Sequence, residues 1–172
     1  SAPPLTSCLA GRWLSADPSR LVTRENPGRV AETACRWSPA TAAEARAALD
    51  AAAAAFPAWA AESLATRHGL LTRLLDAVEA RADEFVTLII RENGKPRRDA
   101  RAEVSSALGD ARQALADGLQ AGLLEPAPPV RPDVRGELHL EPLGVCVLIT
   151  PWNFPLATVL RKLVPALLYG NP

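Results

Sequence analysis

The spacing of apolar residues divides the chain into an irregular lead-in, a long helical stretch and a final strand–turn–helix unit. Over residues 1–40 the apolar pieces are short and separated by turn signals at Asp17-Pro18 and Asn26-Pro27-Gly28, which predicts a hairpin-like, weakly β lead-in. From residue 41 to about 120 the period is helical. Thr41 and Glu44 form a capping box, and Ala45, Leu49, Ala52, Ala53 and Phe56 make one stripe that Pro57 breaks or kinks. A second helical region covers about 65–93. It carries Leu70, Leu71, Leu74, Leu75 and Val78 on a first face, then Phe85, Leu88 and Ile89 on a second. Gly94 and Pro96 stop it. A third helix uses Ala100, Val104, Ala107, Leu108, Ala111 and Leu115 and fades at Gly118 and Gly122.

The pattern then changes. Residues 121–136 are rich in proline and read as an extended connection. Glu137–Glu141 alternates and predicts a half-exposed strand, closed by Pro142. Residues 145–149 are continuously apolar and predict a strand buried on both faces. After "PWNFP" at 151–155, residues 156–168 read as a helix with Arg161 and Lys162 on its polar side and Pro165 as a kink. A buried strand followed by a helix is the first βα unit of a parallel, doubly wound sheet, and ligands of such sheets bind beyond the strand's carboxyl end. PWNFP stands there.

Composition narrows the functional classes. The 172 residues hold 19 basic and 19 acidic side chains, which leaves no footprint for nucleic acid or a polybasic membrane patch. Three scattered cysteines, Cys8, Cys35 and Cys146, form no CxxC and fit a reducing compartment, hence the cytoplasm. His68 and His139 lack metal-ligand spacing, so no metal site is expected. No apolar run is long enough to span a bilayer and no secretory signal is visible. The chain has no methionine and stops after an apolar helix at Gly170-Asn171-Pro172, which leads to the expectation of a front portion of a longer protein.

The chemistry centres on Asn153. A neutral amide held between two prolines can donate to an oxyanion that develops as a carbonyl is attacked. The plainer alternative is that Asn153 caps the following helix. Elsewhere, Glu92–Pro96 reads as helix termination. Arg97, Arg98 and Arg101, interleaved with Asp99 and Glu103, read as a solvated helix face. Trp13, Trp37 and Trp59 read as packing anchors.

The segment "EPLGVCVLITPWNFPLATVLRKLVPALLYGN", with "NPGRV", "AAAAAFPAWA", "RENGKP" and the Glu103-Val104 pair in order before it, closely resembles the NAD(P)-dependent aldehyde dehydrogenase superfamily. The resemblance covers nearly the whole chain. It implies an α/β protein: an N-terminal helical part plus the first βα unit of a Rossmann-like parallel sheet, apparently truncated. The implied division is a lead-in over 1–40, the helical part of the cofactor-binding domain over 41–120, a connection over 121–136, an oligomerisation strand over 137–143 and the start of the cofactor-binding sheet over 144–172.

The resemblance also implies roles. Asn153 matches the oxyanion-hole asparagine. Ile149, Thr150, Pro151 and Trp152 match the strand end lining the cleft for NAD or NADP, and Lys162 matches a lysine of the active-site network. The implied reaction oxidises an aldehyde to a carboxylic acid: a cysteine thiolate attacks, a thiohemiacetal oxyanion is held by the asparagine, hydride leaves to the nicotinamide, and water activated by a glutamate hydrolyses the thioester. The nucleophile and base match nothing here. Cys146 reads as inert packing, and Cys8 and Cys35 match nothing catalytic. The chain alone is therefore expected to be inactive and the full-length protein to be a dimer or tetramer. Two rivals remain: a non-catalytic domain of this fold kept for oligomerisation or scaffolding, and a relative acting on acyl-phosphates or acyl-CoA thioesters.

Overall fold

The computed structural model describes residues 4–121, 131 and 140–172. The lead-in forms two antiparallel hairpins. A minimal one pairs β1 (Cys8–Leu9) with β2 (Arg12–Trp13), and a longer one pairs β3 (Val22–Asn26) with β4 (Arg29–Trp37) around the Pro27-Gly28 turn. Asp17 caps a single 3-10 turn between them, accepting from the Ser19 N–H at 2.9 Å.

Five helices follow among the described residues: α1 (Ala42–Ala61), α2 (Leu64–Ala80), α3 (Ala82–Asn93), α4 (Arg97–Ala121) and α5 (Ala157–Leu168). The capping box at α1 is formed in both directions: Thr41 Oγ1 accepts from the Glu44 N–H at 3.0 Å and Glu44 accepts from the Thr41 N–H at 2.7 Å. The core is built on α4. Its stripe of Ala100, Val104, Ala107, Leu108, Ala111 and Leu115 is buried, and Leu71 and Leu75 of α2, Val86 and Ile89 of α3, and Ala157, Leu160, Val164 and Leu168 of α5 close around it. Alanines and Gly118 on α4 let α5 approach closely. A Cβ on Gly118 would stand 2.2 Å from Leu168 Cδ2.

Several expectations change. The segment 145–149 forms no regular strand, and Val147 and Ile149 are 67% and 79% exposed. A strand is buried by neighbours on both sides; here the Cys146 N–H donates to the Pro172 carbonyl at 2.8 Å, and no described strand pairs with the segment. Leu140–Leu143 carry no strand either; the rest of the expected 137–143 strand and most of the 121–136 connection lie outside the described residues. Helix α1 runs through Pro57, so that proline does not break it, and Pro165 lies inside α5. No residue of α1 is buried, and Leu49 of its stripe is 45% exposed. The region 65–93 is two helices, parted at Arg81. Trp13 is 76% exposed and anchors nothing, whereas the Trp59 indole N–H donates to the Leu167 carbonyl at 3.1 Å.

Gly94 closes α3 with φ +78°, its N–H bonded to the Ile90 carbonyl at 3.0 Å. A Cβ there would stand 2.8 Å from Cγ of Pro27 at the tip of the long hairpin. Left-handed strain and this contact act together, so Gly94→Ala is expected to destabilise the protein by about 1–3 kcal/mol in a urea unfolding titration. An unchanged midpoint would mean that the hairpin tip gives way freely.

Candidate active site

The chain leaves α4 carrying a carboxylate where its stripe calls for an apolar residue. Glu103 lies on the same face as Ala100 and Ala107, and its side chain is fully buried. Both oxygens are used. Oε1 accepts from the Leu156 N–H at 3.0 Å and the Ala157 N–H at 3.4 Å, two amides of the first turn of α5. Oε2 meets Lys95 Nζ at 2.5 Å. The expected solvated face is therefore corrected at Glu103, while Arg97, Arg98, Asp99 and Arg101 are exposed.

This arrangement decides how α5 is capped. The residue in the N-cap position is Leu156, which offers no side-chain hydrogen bond. The orphan amides are satisfied from α4 by Glu103, whose negative charge also complements the helix N-terminus. Asn153 does not cap the helix, and its side chain is exposed.

The turn around Asn153 is held by its carbonyls. Asn93 Nδ2, at the end of α3, donates to the Trp152 carbonyl at 3.0 Å. Lys95 Nζ donates to the Asn153 carbonyl at 2.8 Å and lies 4.2 Å from the centre of the Phe154 ring. Thr158 Oγ1 donates to the Phe154 carbonyl at 2.7 Å. Upstream, Lys162 Nζ donates to the Ile149 carbonyl, so α5 also reaches back to the segment that feeds the turn.

Of the residues singled out from sequence, Lys162 and Ile149 are thus in direct contact. Thr150, Pro151, Trp152 and Asn153 follow as an exposed run, with Trp152 80% exposed. Asn93, Lys95 and Glu103 were missed. The signal for Glu103 was its place on the apolar face of α4; for Asn93 and Lys95 no pattern in the sequence marks the contact. Beside the turn opens a largely apolar cleft of about 560 Å³, whose lining includes Cys35, Trp37, Ile89, Glu92 and Trp152. Among the described residues no cluster of His, Cys, Asp and Glu is arranged to hold a metal, and no helix is long and apolar enough to cross a membrane.

The aldehyde dehydrogenase family model matches residues 13–172. The chain belongs to the aldehyde dehydrogenase family. It is 34% identical over 171 residues to glutarate-semialdehyde dehydrogenase of Pseudomonas putida, covering 94% of this chain and 33% of the relative. Succinate-semialdehyde dehydrogenase [NADP(+)] 1 of Schizosaccharomyces pombe is 31% identical, with 97% of this chain and 33% of the relative covered. The crystal structure of succinate-semialdehyde dehydrogenase from Burkholderia pseudomallei superposes with a TM-score of 0.88 at 31% identity, covering 98% of this chain and 34% of that one. The fold is accordingly that of an aldehyde dehydrogenase, and the chain spans about a third of the length of these relatives.

Within this aldehyde dehydrogenase segment Cys35 borders the cleft beside Glu92. Burial pushes its thiol above the ordinary range, and the charge of Glu92 and a hydrogen bond to it push further, against the opposing charges of Arg24 and Arg91. Alkylation near pH 8 is expected to label the exposed Cys8 well before Cys35. Glu92→Gln removes a negative neighbour, lowers the Cys35 pKa and should speed its labelling. Peptide mass mapping over time reads both.

Proposed function

We propose that the whole protein oxidises an aldehyde to a carboxylic acid with NAD or NADP, and that this chain supplies the oxyanion donor Asn153. The observation that carries the reading is the capping of α5 by Glu103, which leaves the Asn153 amide uncommitted to the helix it precedes. Its backbone is held on both sides, through the Trp152 and Asn153 carbonyls. A donor fixed before the reaction needs little reorganisation when negative charge develops, and such donors contribute most where they are most rigid. Its amide stays neutral throughout, so it stabilises the oxyanion without exchanging a proton.

The nicotinamide cofactor, when bound, accepts the hydride that leaves the aldehyde carbon. The residues at hand fit one wall of its cleft. Ile149, Thr150, Pro151 and Trp152 present an accessible run of side chains, and Lys162 takes the Ile149 carbonyl and so steadies that run. The nucleophilic cysteine and the general base belong, in this reading, to residues other than these 172, in keeping with the chain's share of its relatives' length. The relatives carry the names of glutarate-semialdehyde, succinate-semialdehyde and D-glyceraldehyde dehydrogenases, and a short polar aldehyde is the substrate class of the proposal. The same reading includes a homo-oligomer in the cytoplasm.

Two outcomes test it. The 172-residue chain alone should form no NADH or NADPH from glutarate semialdehyde or succinate semialdehyde. In the whole protein, Asn153→Ala should lower kcat by about 10²–10³-fold while the cofactor Kd stays the same. Unchanged turnover in that variant would remove Asn153 from the chemistry.

A further inference from the structure

Resting on the reading of Asn153 as oxyanion donor, we propose that Lys95 and Glu103 are its positioning residues: a buried ion pair that holds the 152–157 turn in place from the α4 side. The pair differs from the exposed ion pairs of this chain. Lys95 and Glu103 side chains are 13% and 0% exposed, against 75% and 47% for Arg29 and Glu32. Each member also hydrogen-bonds the backbone of the same five-residue stretch, 153–157.

Glu103 takes the amides of Leu156 and Ala157. Lys95 takes the carbonyl of Asn153 itself and stacks its ammonium over Phe154. A pair that served only to join α4 to its neighbours would have no need to converge on the backbone that carries the amide. Asn93 completes the grip by holding the Trp152 carbonyl. With two successive carbonyls fixed, the peptide planes on both sides of Asn153 are fixed, and they set the direction of its Cα–Cβ bond. Removing Lys95 releases one plane. It also leaves the Glu103 carboxylate buried without its counter-ion, so the α5 amides and the turn lose their common reference point.

The test is a double-mutant cycle in the whole protein, read by kcat for aldehyde oxidation and by amide hydrogen exchange over 149–160. Lys95→Met should lower kcat roughly ten- to hundred-fold with the cofactor Kd unchanged, because a displaced catalytic group loses alignment. It should also quicken exchange across 153–157. Combined with Asn153→Ala it should add little to the loss that Asn153→Ala causes alone, since a positioning residue acts through the group it positions. Glu103→Gln keeps an oxygen for the α5 amides and removes the charge; it covers the case in which Lys95→Met does not fold, with the same two readouts expected in milder form. Fully multiplicative losses in the cycle, or unchanged exchange and kcat in Glu103→Gln, would overturn the proposal. If Asn153→Ala alone leaves kcat intact, the oxyanion reading fails. The exchange result then still decides whether the pair holds the turn.

Discussion

Much of this chain is organised by one buried carboxylate. Glu103 stands on the inward face of the central helix, where an apolar residue would cost nothing in solvation. Burying a carboxylate is unfavourable by several kcal/mol unless its oxygens are fully engaged, so the fold must bring partners to it. Three come: the amides of Leu156 and Ala157, and the ammonium of Lys95. Each partner belongs to a different piece of chain from α4's own middle. The constraint therefore ties the end of α3 and the start of α5 to a single point. A buried ion pair of this kind is a poor source of net stability, since well-packed apolar residues often serve as well. What it provides is a unique geometry.

The other end of α5 is treated with the opposite sign. Arg67 Nε donates to the Leu168 carbonyl at 2.8 Å, and its Nη1 donates to the Glu62 carbonyl at 2.5 Å at the end of α1. Gly170, at φ +86°, and Asn171 close the helix, their N–H groups bonded to the Leu167 and Ala166 carbonyls at 3.1 and 2.9 Å. Anion at the N-terminus and cation at the C-terminus both agree with the helix dipole. Between them, Ala157, Leu160, Val164 and Leu168 bury against the α4 core. Helix α5 is thus fixed along its axis by charge and across it by packing. Its Lys162 then acts from a rigid base on the Ile149 carbonyl.

The helices were legible because their signals are local. Thr41 and Glu44 lie within one turn, and the α4 stripe repeats at helical spacing with every named member buried. The lead-in hairpin was legible from Asn26-Pro27-Gly28 for the same reason. The errors arose where the outcome depends on distant partners. Val147 and Ile149 read as buried because their run is apolar, yet burial needs neighbouring strands that the run does not specify. Trp13 read as an anchor by residue type, but a two-residue hairpin offers it no surface to pack on. Asn93 and Lys95 lie in the stretch read as helix termination, which Gly94 performs, while their own contacts lie 59 and 58 residues away.

The turn itself shows how a helix start and a presented side chain compete for the same residue type. An asparagine just before a helix ordinarily turns its amide oxygen toward the first free N–H groups. That use engages the oxygen and leaves the NH2 donors free, but it orients the whole amide toward the helix rather than toward a developing oxyanion. Supplying the cap from another helix resolves the competition: Glu103 satisfies the amides, so the asparagine has no local partner to turn toward. Prolines at 151 and 155 restrict the backbone on either side and contribute no N–H of their own to be satisfied. The carbonyls that remain are taken by Asn93, Lys95 and Thr158. The backbone is thereby anchored at several points while the Asn153 side chain is left facing outward, and the buried charge on α4 is what makes that separation possible.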